Sequence, residues 1–198
     1  MASPIRLSTP RLVLRPLTAD DFEPFFARLI CDPVVMAFYH AYAEASTEAE
    51  RRERAQRDFF DHFADGAARF GYVCWAITGR APIIDAGVGE LLGWGAIVTP
   101  ALGDPALGPE LAYMLAASLY GLGLATEAAG AVLADAYPRY GLATVHAVVD
   151  APNGASRRVL EKLGFADQGP VRVYGSDAMM LYTHGRNGDA GDAQRSAV

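Results

Sequence analysis

The sequence predicts a single α/β domain of the α+β kind, and three observations support this prediction. The chain has 198 residues, which is the length of one domain with appendages rather than of two. Segments in which apolar and polar residues alternate, typical of strands, recur between segments with helical apolar spacing. No internal repeat or second core interrupts this order. We expect one domain over residues 1–184 and a disordered tail over 185–198.

The first third of the chain predicts a strand and two helices. Residues 11–17 alternate as a strand with one buried face does, and Thr18 with the acids after it forms a helix N-cap. The following helix presents phenylalanines at helical spacing and ends near Pro33. Residues 44–64 are charged and rich in alanine, so they predict a surface helix whose charges form a solvated face.

The middle of the chain predicts a hairpin, a strand and a long helix. Residues 71–78 and 87–98 are strand-like, and a turn-rich link joins them into a hairpin. Residues 110–115 predict a further strand. The helix after it carries an alanine-rich apolar face, and we expect Pro138 to end it.

The C-terminal third predicts a strand, a short helix and a closing pair of strands. Residues 142–149 form the strand. Asn153 caps a helix that Gly164 ends in the left-handed conformation. Residues 165–173 and 178–184 are the last two strands.

Composition excludes several classes of protein. The 17 basic and 23 acidic residues give a net charge of −6, which disfavours a nucleic-acid partner. Cys31 and Cys74 are far apart without a CxxC pair, so neither a disulfide framework nor a structural zinc site is expected. The N-terminus lacks a signal-type apolar region, and the most apolar stretch, 87–98, is short. We expect a cytoplasmic protein with no membrane partner.

A glycine-rich turn at residues 120–127 lies between a predicted strand and a predicted helix. The first amides of a helix have no intrahelical partner, and the helix dipole adds partial positive charge there. Because Gly121, Gly123 and Ala125 are small, a phosphate could approach these amides, so the turn is a candidate pyrophosphate site built from backbone. A tight turn that needs glycine only for packing is the open alternative.

The spacing of this turn argues against two other phosphate ligands. A dinucleotide fingerprint requires Gly or Ala where Thr126 stands, and it requires an acid about twenty residues further on. Asp135 is too close for that role and Asp150 too far. A P-loop requires Gly-Lys-Ser/Thr, and the turn contains no lysine.

Three motifs in order carry a family resemblance. They are ELAYML at 110–115, GLGLATEA at 121–128 and NGASRRVLEKLGF at 153–165. Together they resemble the GNAT superfamily of acyl-CoA-dependent N-acyltransferases, over about residues 9–184. The opening TPRLVLRPLTADDFEPFF resembles the ribosomal-protein N-terminal (RimJ/RimL-type) acetyltransferases. The resemblance implies the GNAT fold: a mixed, mostly antiparallel sheet splayed between its fourth and fifth predicted strands, with helices on both faces.

The same resemblance implies where acetyl-CoA binds. Its pyrophosphate would lie on the turn formed by Gly121, Leu122, Gly123, Leu124, Ala125 and Thr126. Its pantetheine arm would lie between strands 110–115 and 144–149, facing main-chain groups near Met114 and Leu115, and Asn153 would hydrogen-bond the arm with Ser156 near the thiol. Tyr120 departs from the Gln or Arg usual in the superfamily, although aromatic residues are common there in the subgroup.

Acyl transfer from a thioester to an amine needs a neutral amine, a donor to the oxyanion and a proton for the leaving thiolate. Glu110, at the start of its strand, is the candidate base, with an ordinary strand-end charge as the alternative. Ser156 is the candidate proton donor, with an exposed helix serine as the alternative. His146 alternates with apolar residues and is expected to be a core histidine. The candidates to line an acceptor site are Glu90, Tyr39, His40 and Tyr42.

The sequence therefore predicts an acetyl-CoA-dependent N-acetyltransferase that acts by direct transfer, without a metal. The acceptor is an amine, either a protein N-terminus or a small molecule. A non-catalytic acyl-CoA-binding regulatory module is the alternative function. Dimers are common in the family, and the sequence itself leaves the oligomeric state open.

Overall fold

The eight strands among the described residues form one mixed sheet. The computed structural model describes residues 5–39, 45, 47–64, 71–98, 107–174 and 176–186. The strands are β1 Leu7–Ser8, β2 Leu12–Pro16, β3 Cys74–Gly79, β4 Leu91–Val98, β5 Glu110–Leu115, β6 Thr144–Asp150, β7 Ala166–Val173 and β8 Ser176–Gly185. The α-helices are α1 Phe22–Phe25, α2 Pro33–Met36, α3 Glu48–Asp58, α4 Leu124–Tyr140 and α5 Gly154–Lys162.

The sheet opens between β5 and β6. Its order is β1-β2-β3-β4-β5-β6-β8-β7, and every neighbouring pair is antiparallel except β5 and β6. That parallel pair is joined at the single register position Glu110–His146, where the His146 amide also donates to the Pro109 carbonyl at 2.9 Å. Because pairing stops after the first residue of β5, the two strands diverge. The predicted splayed, mostly antiparallel sheet is confirmed.

Helices cover both faces of the sheet, as predicted. Trp94 and Gly95 are neighbours on β4, so they point to opposite faces. The Trp94 ring lies 4.9 Å, between centroids, from Phe63, which follows α3. A Cβ atom placed on Gly95 would lie 3.4 Å from Val132 of α4. We call these two sides the Trp94 face and the α4 face; α5 packs against α4, where a Cβ on Gly130 would lie 3.2 Å from Leu163.

The N-terminal helical segments are less regular than the sequence predicts. The predicted helix after Thr18 is a 3₁₀ turn (Ala19–Asp21), then α1, then a π-helix (Phe26–Ile30). The predicted helix over 44–64 begins at Glu48, after Thr47 at its N-cap, and changes to a π-helix over Phe59–Ala64. Both π segments contribute phenylalanines to one cluster. The ring centroid of Phe22 in α1 lies 6.1 Å from that of Phe26 in the first π segment and 5.5 Å from that of Phe59 in the second. Packing of these rings is a tertiary effect that local propensity does not contain.

The prediction that Pro138 ends the long helix is wrong. The helix α4 continues to Tyr140 and ends at Gly141, whose φ of 64° is left-handed. Pro138 lies in the last turn and removes one intrahelical hydrogen bond there. Two other contacts hold this turn: Arg139 pairs with Asp135 within the helix at 2.6 Å, and from outside the helix the Val73 amide donates to the Tyr140 hydroxyl at 2.9 Å.

Described structure continues into the first residues of the predicted tail, 185–198. Strand β8 includes Gly185, and the Arg186 amide donates to the Ala143 carbonyl at 3.0 Å. Residues 187–198, which form most of the predicted tail, lie outside the described residues. No helix among those described has the length and apolar character needed to cross a membrane.

A buried ion pair fixes the start of the N-terminal helical segment and makes stability depend on pH. The carboxylate of Asp21 accepts from Arg15 at 2.6 and 2.7 Å and from the Thr18 amide at 2.8 Å. Burial raises the pKa of Asp21, but these hydrogen bonds outweigh burial and hold it below its ordinary value. A lowered pKa in the folded state contributes stability above the pKa of the unfolded chain, and this contribution is lost as pH falls through the folded value.

We expect the free energy of unfolding to fall as pH drops below about 4. In Asp21→Asn it should be lower by about 2 kcal/mol at neutral pH, the scale of a hydrogen bond to a charged group, and this part of the acid dependence should flatten. Urea unfolding at a series of pH values measures both. Equal acid sensitivity in Asp21→Asn and the native protein would contradict the assignment.

Candidate active site

A cavity of about 680 Å³ opens where β5 and β6 diverge. Ligand pockets usually enclose 300–1,000 Å³. On the Trp94 face the cavity reaches the aromatic segments around α2 and α3. On the α4 face it reaches the first turn of α5. The residues that line it include Phe38, Tyr39, Asp58, His62, Phe63, Trp94, Glu110, Tyr113, Met114, Asp150, Asn153, Ser156 and Tyr174. The cleft therefore connects the two faces of the sheet through its opening.

Glu110 supplies a buried carboxylate on the Trp94 face. It is the first residue of β5 and is 6% exposed. Trp94 is opposite Met114 in the ladder of β4 and β5, and Met114 is an even number of residues from Glu110, so all three side chains share one face. The Tyr174 hydroxyl donates to Glu110 Oε2 at 2.5 Å. This pairs the carboxylate with a hydroxyl inside the cleft.

Tyr174 reaches Glu110 from the turn between β7 and β8. Its φ of 51° lies in the left-handed region, which costs a side-chain-bearing residue conformational energy. The strands flank the turn closely, since Val173 pairs with Ser176. From this turn the tyrosine side chain reaches Glu110, the first residue of β5.

Ser156 and Tyr113 form a hydroxyl pair on the α4 face. Tyr113 is opposite Gly95 in the ladder, and its hydroxyl lies 2.9 Å from Ser156 Oγ and 3.3 Å from the Ser156 carbonyl oxygen. Burial raises the pKa of Tyr113 to about 12, although its bond to Ser156 acts in the opposite direction. The phenol is therefore protonated at neutral pH. When it donates to Ser156 Oγ, the serine proton is left available to a group in the cleft.

Asn153 orients Ser156 from the N-cap of α5. Its Oδ1 accepts from the Ser156 amide at 3.1 Å. An N-cap side chain of this kind fixes the first turn of a helix. Both residues line the cleft, as the sequence predicts that they share a site.

The glycine turn lies at the start of α4, outside the lining of the cavity. Gly121 and Gly123 have φ of 81° and 74°, and both are exposed. Gly123 is the N-cap of α4 and, because it has no side chain, makes no side-chain cap hydrogen bond to the helix amides. Leu122, Leu124, Ala125 and Thr126 complete the turn. An open, uncapped N-terminus of a long helix suits a pyrophosphate.

A polar network fixes this turn to the N-terminal strands. Arg11 donates to the Leu122 carbonyl at 2.8 Å and to Glu127 at 2.6 Å, and Thr9 donates to Glu127 at 2.5 Å. Burial raises the pKa of Glu127, but these bonds outweigh it and hold the pKa below its ordinary value. The start of α4 is therefore fixed before any ligand binds.

The divergence of β5 and β6 leaves a backbone edge of β5 open at the cleft. Beyond Glu110 the backbone of β5 has no strand partner on its β6 side. Met114 lines the cavity. Leu115 does not line it, because its side chain packs toward Gly93. The structure therefore has an open strand edge at the cleft and a glycine turn at the exposed start of α4.

The other predicted acceptor residues divide into three groups. Tyr39 lines the cleft, and burial, with the charge of Asp58 adding to it, raises its pKa to about 12. The prediction that Glu90 lies in an apolar strand is wrong. Glu90 is exposed in the turn before β4, because the strand begins at Leu91. His40 and Tyr42 lie outside the described residues.

His146 lies beside the cleft and not in its lining. His146 is half-buried, and burial lowers its pKa. It pairs with Glu110 in register but does not line the cavity, in keeping with the expected structural role. No group of three His, Cys, Asp or Glu side chains among the described residues is placed to hold a metal ion.

Sequence reasoning missed Tyr113 and Tyr174 as site residues. Tyr113 stands within the strand motif ELAYML, but a strand-like pattern alone does not distinguish a tyrosine that lines a cleft from one in the core. Tyr174 lies 64 residues from Glu110 along the chain. Only the pairing of β7, β8 and β6 brings it to the site.

Comparisons with known proteins agree with this geometry. Residues 11–166 match the family described as acetyltransferase (GNAT) domain. The chain is 29% identical over 174 residues to the uncharacterized protein YkkB of Bacillus subtilis (strain 168), covering 88% of this chain and 92% of that protein. It is 29% identical over 168 residues to the uncharacterized N-acetyltransferase YoaA of the same organism, covering 85% and 86%.

Solved structures share the fold. The acetyltransferase from Agrobacterium tumefaciens str. C58 aligns with a TM-score of 0.70 and 24% identity, over 93% of this chain and 96% of that one. The ribosomal L7/L12 alpha-N-protein acetyltransferase RimL, in complex with coenzyme A, aligns with a TM-score of 0.69 and 14% identity, over 93% and 100%. At these identities the likeness establishes the fold alone.

Proposed function

Because the chain belongs to the GNAT family of acetyltransferases, we propose that it transfers an acetyl group from acetyl-CoA directly to a primary amine. The observation that carries this proposal is the cleft between β5 and β6. It has a buried carboxylate on the Trp94 face and a serine–tyrosine pair on the α4 face. An acid–base pair on two sides of one opening suits transfer between substrates that enter from opposite faces.

Glu110 acts as the base in this proposal. An amine reaches the protein mainly as ammonium, which cannot attack a carbonyl carbon until it loses a proton. The Glu110 carboxylate accepts that proton, directly or through a water molecule. The Tyr174 hydroxyl holds the carboxylate in place at 2.5 Å.

Ser156 acts as the acid. Acetyl-CoA supplies the acetyl thioester, and the departing sulfur gains from a proton. Ser156 Oγ donates it, and the protonated Tyr113 hydroxyl donates in turn to Ser156 Oγ at 2.9 Å. Backbone amides near Met114 and Leu115 are the proposed donors to the carbonyl oxygen, where negative charge develops.

The proposed contacts to the cosubstrate follow the geometry described above. Gly121, Leu122, Gly123, Leu124, Ala125 and Thr126 would hold its pyrophosphate through backbone amides, and Asn153 would contact the pantetheine arm. We also propose that the chain is related to the RimJ/RimL-type subgroup. Its N-terminal sequence resembles that subgroup, and the chain shares the fold of RimL.

Substitution of Gly123 tests the pyrophosphate site. We expect Gly123→Trp to weaken acetyl-CoA binding by about tenfold or more, a loss of about 1.4 kcal/mol, because the side chain would stand over the helix amides. Gly141→Trp is the matched control: it also replaces a left-handed glycine, at the other end of α4. Isothermal titration compares the two variants. Equal losses of affinity would show that strain, and not the position of the residue, causes the effect.

Substitution of Ser156 tests the proton donor. We expect Ser156→Ala to lower kcat by about 10² while the affinity for acetyl-CoA changes little. Because Tyr113 acts through Ser156, the double variant with Tyr113→Phe should be about as slow as Ser156→Ala alone. Steady-state kinetics of the three variants measure this. Full turnover in Ser156→Ala would remove the serine from the mechanism.

A thiol-release assay separates the proposed function from a non-catalytic acyl-CoA-binding module. The purified protein is incubated with acetyl-CoA and a panel of amines and N-terminal peptides, and free thiol is measured. The proposal predicts release that depends on an amine. Binding of acetyl-CoA by titration without thiol release from any acceptor would instead favour the regulatory module.

A further inference from the structure

The part of the cleft on the Trp94 face is an aromatic chamber. We define the acceptor chamber by side chains that line the cleft on this side of β5, with the helical segments that face it: Phe38, Tyr39, Asp58, His62, Phe63, Trp94, Glu110, Asp150 and Tyr174. Trp94 and Phe63 form its rigid wall, with exposed fractions of 4% and 7%. Their rings are inclined by 32° at 4.9 Å, and Phe25 supports Phe63 from behind at 6.0 Å.

Carboxylates outnumber basic groups in the chamber. Among the described residues that line the cleft, Asp58, Glu110 and Asp150 are acidic, His62 is the one imidazole, and none is lysine or arginine. Glu110 and Asp150 are 6% and 8% exposed. A ligand carboxylate or phosphate there would lose water, would gain no lysine or arginine partner from these side chains and would meet like charges in a medium of low dielectric. A cation is favoured for the same reasons.

The space available limits the size of the acceptor. The whole cleft encloses about 680 Å³, and the proposed function requires the acyl arm to take part of it. The wall on this side includes the rings of Phe38, Tyr39, Phe63, Trp94 and Tyr174. Such rings stabilise an apolar body and, through their faces, a cation. A peptide would bring several backbone amides whose lost water such a wall does not replace.

We propose that the acceptor is a small cationic amine with a flat apolar or aromatic body and no carboxylate or phosphate group. This inference rests on the proposed function and goes further by assigning the substrate class. The ammonium group lies among the carboxylates, within reach of Glu110 as base. The apolar body packs against Trp94 and Phe63.

A set of matched acceptors tests this class. 2-Phenylethylamine, phenylalaninamide and phenylalanine share a benzyl body and differ at one substituent, while ethylamine lacks the ring and a phenylalanyl dipeptide amide adds a peptide bond. We expect kcat/KM for 2-phenylethylamine to exceed that for phenylalanine by about 10² and that for ethylamine by about tenfold or more. Phenylalaninamide should lie much closer to 2-phenylethylamine than phenylalanine does.

The outcomes separate this inference from the proposed function. If phenylalanine or the dipeptide amide is the best acceptor, the protein is an N-acetyltransferase but the assigned substrate class is wrong. If acetyl-CoA binds and no acceptor in the set or in the wider amine panel is acetylated, the proposed function fails and the inference fails with it.

Substitution of Asp58 tests whether the negative charge of the chamber determines the choice of acceptor. We expect Asp58→Arg to lower the ratio of kcat/KM for 2-phenylethylamine to that for phenylalanine by about tenfold, because the chamber then offers the carboxylate a cation. Asp61→Arg is the matched control, since Asp61 follows closely in the chain but does not line the cleft. The ratio is the quantity measured because a structural defect lowers both rates together and cannot by itself change it. A ratio equal to the native value in Asp58→Arg would contradict the electrostatic basis of the proposal.

Discussion

Replacing Glu110 with glutamine is expected to lower kcat/KM for the amine by about 10²- to 10³-fold, the usual contribution of a general base. Glutamine keeps the size of the side chain and an oxygen that can accept from Tyr174, so the fold and the cleft should persist. Without the carboxylate, the neutral amine must come from solution. The residual rate should therefore rise with pH up to the pKa of the amine itself.

Initial rates across a pH series, with the free energy of unfolding measured beside them, check this expectation. Glu90→Gln is the control, because Glu90 is an exposed carboxylate in the turn before β4. A Glu110→Gln variant with the native rate and the native pH profile would exclude Glu110 as the base.

Replacing Gly93 with alanine is expected to destabilise the protein by about 3 kcal/mol or more, at or beyond the upper end for overpacking. A Cβ atom there would lie 2.1 Å from the Met114 carbonyl oxygen and 2.9 Å from Leu115 Cα. Both contacts are with backbone of β5, so no side-chain rotation relieves them. The register between β3 and β4 also shifts beside this position, between Ile77 and Thr78.

Gly95→Ala provides the matched comparison on the same strand. Its Cβ would make ordinary contacts, 3.4 Å from Val132 and 3.7 Å from the Ala112 carbonyl oxygen, so we expect a change within about 1 kcal/mol. Chemical denaturation of both variants measures the difference. If the two alanines cost the same, the close approach of β4 to β5 at Gly93 is not what requires glycine.

Much of the fold could be predicted from the sequence because local patterns and tertiary structure agree. The strand-like character of β5 and the N-cap at Asn153 were both visible in the residues. The splay between β5 and β6 was implied by the family resemblance and not by any local pattern, since it depends on pairing that stops after Glu110–His146. Pro138 misled because other contacts hold the last helical turn in spite of the lost amide: Arg139 pairs with Asp135 within the helix, and the Val73 amide donates to the Tyr140 hydroxyl.

The candidate site could be predicted only in part. Glu110, Met114, Asn153 and Ser156 stand in sequence motifs, and the structure brings them to one cleft. Tyr174 comes from a strand turn distant in sequence, and its contact depends on the order of the last two strands. The need for glycine at position 93 was invisible in the sequence, because it follows from the position of the Met114 carbonyl on the neighbouring strand.

The fate of the acetyl group tests the central claim most directly. The protein is incubated with acetyl-CoA alone and then with an amine, and intact-protein and small-molecule mass spectrometry follow the acetyl group. Direct transfer predicts an unmodified protein before the amine is added and then one N-acetylated amine for each free CoA. An acetylated protein that passes its acetyl group to the amine, or CoA release without an amide product, would contradict the account.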